Sequence, residues 1–227
     1  MNIVTTNALL HDIGRLSEID FSTLQIVDLR AIHGQQHGHA LESYNMLISH
    51  GITDPNILLP VRYHSPFTYK DTLCKDPAFT SLPIYKQADV IHFIDCIRDA
   101  DDIANLYARA KLGTKNVGEL NDPRYQADYD ITMESLDGVI NGRGCDISLE
   151  RHLLDAMLRW LSYADRLTYP FPNIIKIIQR LWDKTLAEAQ AQFDACPNKD
   201  QARFDATMQK LKNAREIQLA RLRNRKS

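Results

Sequence analysis

Apolar positions recur at helical spacing along most of the chain, and glycine and proline mark where each run stops. Asn7 to Ile13 reads as a short helix ending at Gly14, a residue suited to a helix C-terminus. His37 to His50 reads as a second helix closed by Gly51. Asp54-Pro55 caps and opens a third, which runs to about His64 and stops before Pro66. Pro66, Pro77 and Pro83 mark Phe67 to Pro83 as a loop. A long helix is expected from about Ile84 to Lys111, followed by loop from Thr114 to Asp130 and a tight connection at Gly138, Asn141, Gly142 and Gly144. Leu149 to Leu167 is helical, with Leu153, Leu154, Met157, Trp160, Leu161 and Ala164 inward, and Pro170 and Pro172 end it. Ile174 to Ala195 and Gln201 to Leu222 form a helical hairpin about Pro197 and Asn198, which reads as a packing or homodimerisation element. These elements predict an all-α helical bundle, with one helical domain over 1–172 and a C-terminal hairpin over 173–227.

The stripe of the long helix singles out one carboxylate. At 100° per residue, Val90, Ile94, Ile97, Ala104 and Ala108 all lie within about 60° of Asp101, whereas Asp99 faces nearly the other way and Asp102 sits to the side. Asp101 is therefore expected to point into the core, where a carboxylate is costly unless it is paired or bound to a cation.

Composition narrows the class further. Hydrophobic residues are 44% and charged residues 25%, a globular balance that argues against a disordered or collagenous chain, and 9 Gly with 9 Pro are too few for a loop-rich β sandwich. Cys74, Cys96, Cys145 and Cys196 form no CxxC pair, which argues against a zinc knuckle or dithiol site and fits a reducing cytoplasm. The first ten residues lack a basic n-region, so no signal peptide is expected, and no run of about 18 apolar residues suggests a membrane span. The net charge of −2 hides a basic end: Lys210, Lys212, Arg215, Arg221, Arg223, Arg225 and Lys226 face a single acid, Glu216, from Gln209 onward. Without aromatic interleaving or a base-reading motif, this end reads as the solvated face of a helix rather than a nucleic-acid surface.

The candidate chemistry is an ordered series: His11-Asp12, then His39, His64 and Asp101, each near the end or on the inner side of an expected helix. Neutral imidazoles and ionised carboxylates hold Zn, Mn, Fe, Co or Ni, and ligands from separate helices converge in the core of a bundle. His37 competes with His39, but on one helix it points about 160° away. His33 reads as a loop residue, His50 as a residue at a helix C-terminus, and His92 and His152 as structural histidines.

The segments Ala8-Leu9-Leu10-His11-Asp12-Ile13-Gly14-Arg15, His39-Ala40-Leu41-Glu42-Ser43, Val61-Arg62-Tyr63-His64 and Ile97-Arg98-Asp99-Ala100-Asp101 together resemble the HD-domain superfamily of metal-dependent phosphohydrolases. The order and spacings look like its two-metal H…HD…H…H…D branches. The family's first histidine precedes the HD pair by some tens of residues and is absent from the ten residues that precede His11 here; Asp102 stands where relatives often carry a basic residue. The resemblance implies one or two divalent ions (Mn, Fe, Co, Ni, Zn or Mg) held by His11, Asp12, His39, His64 and Asp101, with Asp12 bridging, and a small phosphorylated substrate or nucleotide attacked by water. Asp12 and Arg15 are the implied catalytic residues. Arg15 and Arg62 are candidates for phosphate contact or, alternatively, for ion pairs with the carboxylates around them. A degenerate module with a ligand-binding or regulatory role is the competing expectation.

Overall fold

A computed structural model describes residues 3–20, 25–26, 38–65, 69–112, 125–126, 128–169, 171 and 173–225. Among them the architecture is helical. The α-helices are α1 (Ile3–Leu10), α2 (His39–Ser49), α3 (Pro55–Tyr63), α4 (Tyr69–Leu73), α5 (Pro77–Thr80), α6 (Ile84–Leu112), α7 (Met133–Asn141), α8 (Leu153–Arg166), α9 (Ile174–Ala195) and α10 (Gln201–Asn224). Short 3₁₀ turns cover Ile13–Glu18 and Ile147–Leu149. Among the described residues, strand structure is limited to the two-residue antiparallel pair β1 (Ile19–Asp20) and β2 (Gln25–Ile26), with Ile19 opposite Ile26, and an isolated bridge between Gln126 and His152. No described helix is long and apolar enough to cross a membrane. The chain forms two compact units, Met1–Ala100 and Asp101–Ser227.

In the first unit, α2 packs on the Ile13–Glu18 turn and on α3, and α1 packs on α3. Helix α3 begins where Asp54 accepts the amide of Asn56 at 2.9 Å with Pro55 in the first turn, a cap legible in the sequence. It serves two apolar clusters: Leu58 and Val61 join Leu47, while Leu59 and Tyr63 join Tyr69, Leu73, Phe79, Val90 and Ile94. Pro60 lies inside α3 and has no N–H for the Asn56 carbonyl four residues back. The fully buried Asn7 of α1 supplies the missing donor, its Nδ2 donating to Asn56 O at 2.9 Å.

In the second unit, α8 is the central helix, buried from Leu154 to Ser162 and packed against α7 and α9. The expected hairpin forms: Trp182 of α9 donates to Gln218 Oε1 of α10 at 2.9 Å, and Gln218 in turn donates to Leu161 O and Asp165 Oδ2. The basic end is partly absorbed by this core. Arg221 donates to Asp165 and the Val139 and Ile140 carbonyls, and Arg225 to the Ala164 and Asp165 carbonyls, so these guanidiniums close helix ends.

Several expectations are corrected. Helix α1 stops at Leu10, and His11-Asp12 occupies the turn that follows it. The stretch from Phe67 to Pro83 contains α4 and α5, because Asp76 caps Ala78 N at 2.8 Å and Pro77 opens a helix instead of breaking one. Helix α8 starts at Leu153, four residues after the expected Leu149. Of the connection expected there, Gly138 and Asn141 belong to α7, which Thr132 caps and which ends at Gly142 with φ 64°, while Gly144 lies beyond it. Gly138 lies within α7 at a close approach, where a Cβ would sit 2.3 Å from Gly144 O.

The reading of α6 also changes. Val90, Ile94 and Ile97 are buried as expected, but Asp101 is only half-buried and Ala104 is exposed, while Asp95, Asp99 and Asp102 are buried. Val90 and Ile94 belong to a core of the first unit, Leu106 and Ala110 to that of the second. A helix that serves two cores has no single stripe to extrapolate. The buried acids are met by polar partners: Tyr69 donates to Asp95 at 2.5 Å, and Arg166 to Asp102.

Candidate metal centre

The site is built from helix ends. His11 N donates to Asn7 O at 3.0 Å, closing the last turn of α1, and Arg15 N donates to Asp12 O at 3.0 Å, starting the 3₁₀ turn. The side chains of His11 and Asp12 therefore leave the backbone at a corner. Gly14 allows that corner to lie against the start of α2: a Cβ would sit 2.3 Å from His39 O and 2.4 Å from Ser43 N. Its role is close approach, not the helix C-terminus the sequence suggested. Ser43, fully buried, bolts the corner down by accepting from Gly14 N and donating to His11 O, each at 2.8 Å. His39 opens α2 directly after Gly38, and His64 caps the C-terminus of α3.

Hydrogen bonds fix two of the imidazoles. His64 Nδ1 lies 2.7 Å from Val61 O and His11 Nδ1 lies 2.9 Å from Ala8 O. A carbonyl only accepts, so each Nδ1 carries a proton, which in the neutral ring leaves the lone pair on Nε2. Arg98 further anchors the His64 carbonyl at 3.0 Å. Burial, with the Arg15 charge adding to it, pushes His39 down to about 3, so its imidazole is neutral near pH 7. Burial works against ionising Asp12, yet the adjacent imidazoles and Arg15 outweigh it and hold this carboxyl well below the usual carboxylate range. Neutral imidazole and ionised carboxylate are the forms that ligate metals.

The donor atoms converge. His39 Nε2 lies 3.2 Å from His64 Nε2 and 3.4 Å from Asp12 Oδ1, and His64 Nε2 lies 3.8 Å from the same oxygen. Three donors at these separations lie on a circle of radius about 2.0 Å, the bond length from imidazole nitrogen or carboxylate oxygen to zinc and ions of its size. His11 Nε2 stands 3.6 Å from Asp12 Oδ2, and its ring lies edge-on to that of His64 with centroids 5.0 Å apart. Asp12 Oδ1 is buried without a hydrogen-bond donor. A proton on His39 Nε2 could serve His64 Nε2 and leave that oxygen bare, whereas a cation satisfies all three donors. The residues thus fit a divalent transition-metal ion, and His11, Asp12 and His64 form the one such cluster found among the described residues, with His39 adjoining it.

The other described candidates each have a partner of their own. Asp101 belongs to the second unit, where its Oδ1 accepts from Asn105 Nδ2 at 3.0 Å. Arg15 Nε pairs with Asp12 Oδ2 at 3.0 Å. Arg62 pairs with Asp76 at 3.0 Å and stacks over Tyr44 and Tyr63, which is a structural role. His50 bonds the Met46 carbonyl at a helix end, His92 sits 3.7 Å from the Cys96 thiol, and His152 pairs with Asp128 at 2.7 Å. His33 and His37 lie outside the described residues. Ser43 and Asn7, which position the corner, were not singled out from the sequence. Ser43 follows His39 by four residues, one turn along the same face of α2, and that spacing was the available signal. Comparison of the chain with protein-family models, with curated proteins and with solved structures finds no match.

Proposed function

We propose that this chain is a metal-dependent phosphohydrolase of the HD-domain kind, acting on a phosphomonoester, phosphodiester or nucleotide. The observation that carries the reading is the buried, donor-less Asp12 Oδ1 facing the Nε2 atoms of His39 and His64. A divalent ion held there by Asp12, His39 and His64 would supply a water nucleophile near neutral pH and would polarise a phosphoryl oxygen. The chain's own part is to hold the donors in their binding states. The Val61 and Ala8 carbonyls keep the protons of His64 and His11 on Nδ1, and the Ser43 bolt keeps Asp12 at the corner. Arg15, with a half-exposed side chain beside Asp12, is the guanidinium placed to meet a phosphate group. Four residues of the first unit, His11, Asp12, His39 and His64, supply the donors, and Asp101 completes the motif of the resemblance.

The test is hydrolysis of a panel of phosphomonoesters, nucleotides and cyclic dinucleotides with Mn²⁺, Co²⁺, Ni²⁺, Zn²⁺ or Mg²⁺, with Asp12→Ala as control. Turnover that requires the ion and disappears in the control supports the reading; equal turnover in both marks a contaminant. A second reading, a module that binds its ligand through the ion without hydrolysing it, is favoured by the engagement of Arg15 and Arg62 with the chain's own carboxylates. Bound ion with no turnover on any substrate selects it.

A further inference from the structure

Helix α3 ends at Tyr63, and the last carbonyls of a helix find no amide of their own helix to accept from. Around His64, side chains take that place. Val61 O accepts from His64 Nδ1 at 2.7 Å, and His64 O accepts from Arg98 Nη1 at 3.0 Å. Arg98 belongs to α6 and is itself steadied there. Asp95, one turn earlier on the same face, accepts from the buried Tyr69 hydroxyl at 2.5 Å, and the Arg98 guanidinium lies over that ring, 5.0 Å from its centroid. We propose that Arg98 is a positioning residue of the metal centre: by gripping the His64 carbonyl it fixes the end of α3, and with it the His64 Nε2 atom that faces Asp12 Oδ1. This role rests on the metal centre of the proposed function, of which Arg98 is not a ligand.

The imidazole depends on the backbone that carries it. The His64 side chain is fully buried, so the ring has no room to correct for a shift of its own peptide. Its Nδ1 bond reaches back only three residues, to the same helix end, and helix ends fray, so both bonds loosen together when that end opens. The cation on the His64 carbonyl also interacts favourably with the negative end of the α3 dipole. Charge and geometry act on a bound ion in opposite directions. The guanidinium repels a divalent cation held by His64, so its removal strengthens binding where charge governs and weakens binding where position governs. The direction of the change therefore identifies the role.

The experiment is Co²⁺ binding followed by visible absorption, together with ¹⁵N NMR of the imidazoles in the metal-depleted protein, on wild type, Arg98→Met, Arg98→Lys and Tyr69→Phe. Arg98→Met keeps most of the stem and loses the charge and the donors. It is expected to weaken Co²⁺ binding roughly tenfold to a hundredfold, the range for changing a partner of a ligand, and to replace the single Nδ1–H tautomer of His64 by a mixture. Arg98→Lys, which keeps the charge and a donor but not the planar fork, is expected to bind with an affinity between those two. Tyr69→Phe keeps the ring beneath Arg98 and loses the bond to Asp95, so it is expected to melt lower with its Co²⁺ affinity unchanged. Unchanged or tighter Co²⁺ binding in Arg98→Met, an unchanged His64 tautomer in that variant, or a loss of affinity in Tyr69→Phe as large as in Arg98→Met overturns the role. Should Arg98→Met not fold, wild-type affinity in Arg98→Lys overturns it. Absence of Co²⁺ binding in wild type overturns the metal centre itself and leaves the His64 tautomer to decide on Arg98, so the two failures are told apart.

Discussion

Replacing Ser43 with alanine tests whether the corner that carries His11 and Asp12 is held by one hydroxyl. Ser43 is fully buried, accepts from the buried Gly14 amide and donates to the His11 carbonyl, both at 2.8 Å. Alanine keeps the packing of the methylene and removes both bonds. Leaving a buried N–H without an acceptor costs about 1–3 kcal/mol, and losing the partly buried carbonyl's bond costs about 1 kcal/mol more. The expected loss is therefore about 2–4 kcal/mol in the first unit, a shift of roughly 10 °C or more for a domain of this size. Both tryptophans, Trp160 and Trp182, lie in the second unit, so indole fluorescence is the wrong probe. Hydrogen exchange at the Gly14 amide reads the first unit, and far-UV circular dichroism in urea follows the helices of both units. Metal affinity is expected to fall roughly tenfold to a hundredfold in the same variant, since the ligand corner is no longer fixed. A destabilisation under about 0.5 kcal/mol with Gly14 protection unchanged would refute the reasoning.

Other outcomes follow from single contacts. Gly14→Ala places a Cβ 2.3 Å from a backbone carbonyl that cannot rotate aside, so the urea midpoint is expected to fall by the equivalent of at least about 1–3 kcal/mol; an unchanged midpoint contradicts the close approach. Burial pushes the Cys145 thiol up to about 12, and Cys74 is exposed, so a thiol reagent at pH 8 should label Cys74 in the native protein and Cys145 only after unfolding. Equal labelling rates contradict it. Burial raises the Asp130 carboxyl, but Arg203 outweighs this and holds it below its ordinary value of 3.8. The resulting stabilisation is present above that ordinary value and is lost as pH falls through the lower folded one. Asp130→Asn should thus melt below wild type at pH 7 and converge with it in acid; a gap independent of pH contradicts the pairing.

Much of the fold was legible because helix signals are local. Asp54-Pro55, Gly51, Trp160 among its apolar neighbours and the turn at Pro197 each announce an element without reference to the rest of the chain. Misreadings arose where one signal has two physical meanings. Proline both ends helices and opens them, and at Pro77 the capping Asp76 decides which. Glycine serves left-handed backbone, as at Gly142, and close contact, as at Gly14 and Gly138, and only the neighbour across the gap tells them apart. The spacing of His11, Asp12, His39 and His64 singled out side chains that stand together at three helix ends, because helix termini are what sequence marks most clearly. Asp101 is half-buried rather than in the core because α6 contributes to two cores, and a stripe extrapolated from Val90 and Ile94 does not survive past the residues that serve the first. The Asn7 bond to the carbonyl freed by Pro60 spans 49 residues and has no local signature.

Titration of metal-depleted protein with Co²⁺, followed by visible absorption, tests the central claim most directly, because the ligand-field bands report nitrogen and oxygen donors on the ion itself. Wild type should give saturable bands, while Asp12→Ala and His64→Ala, each shown to be folded by circular dichroism, should not. Absence of those bands in wild type, or equal bands in all three proteins, would contradict a metal centre at Asp12, His39 and His64.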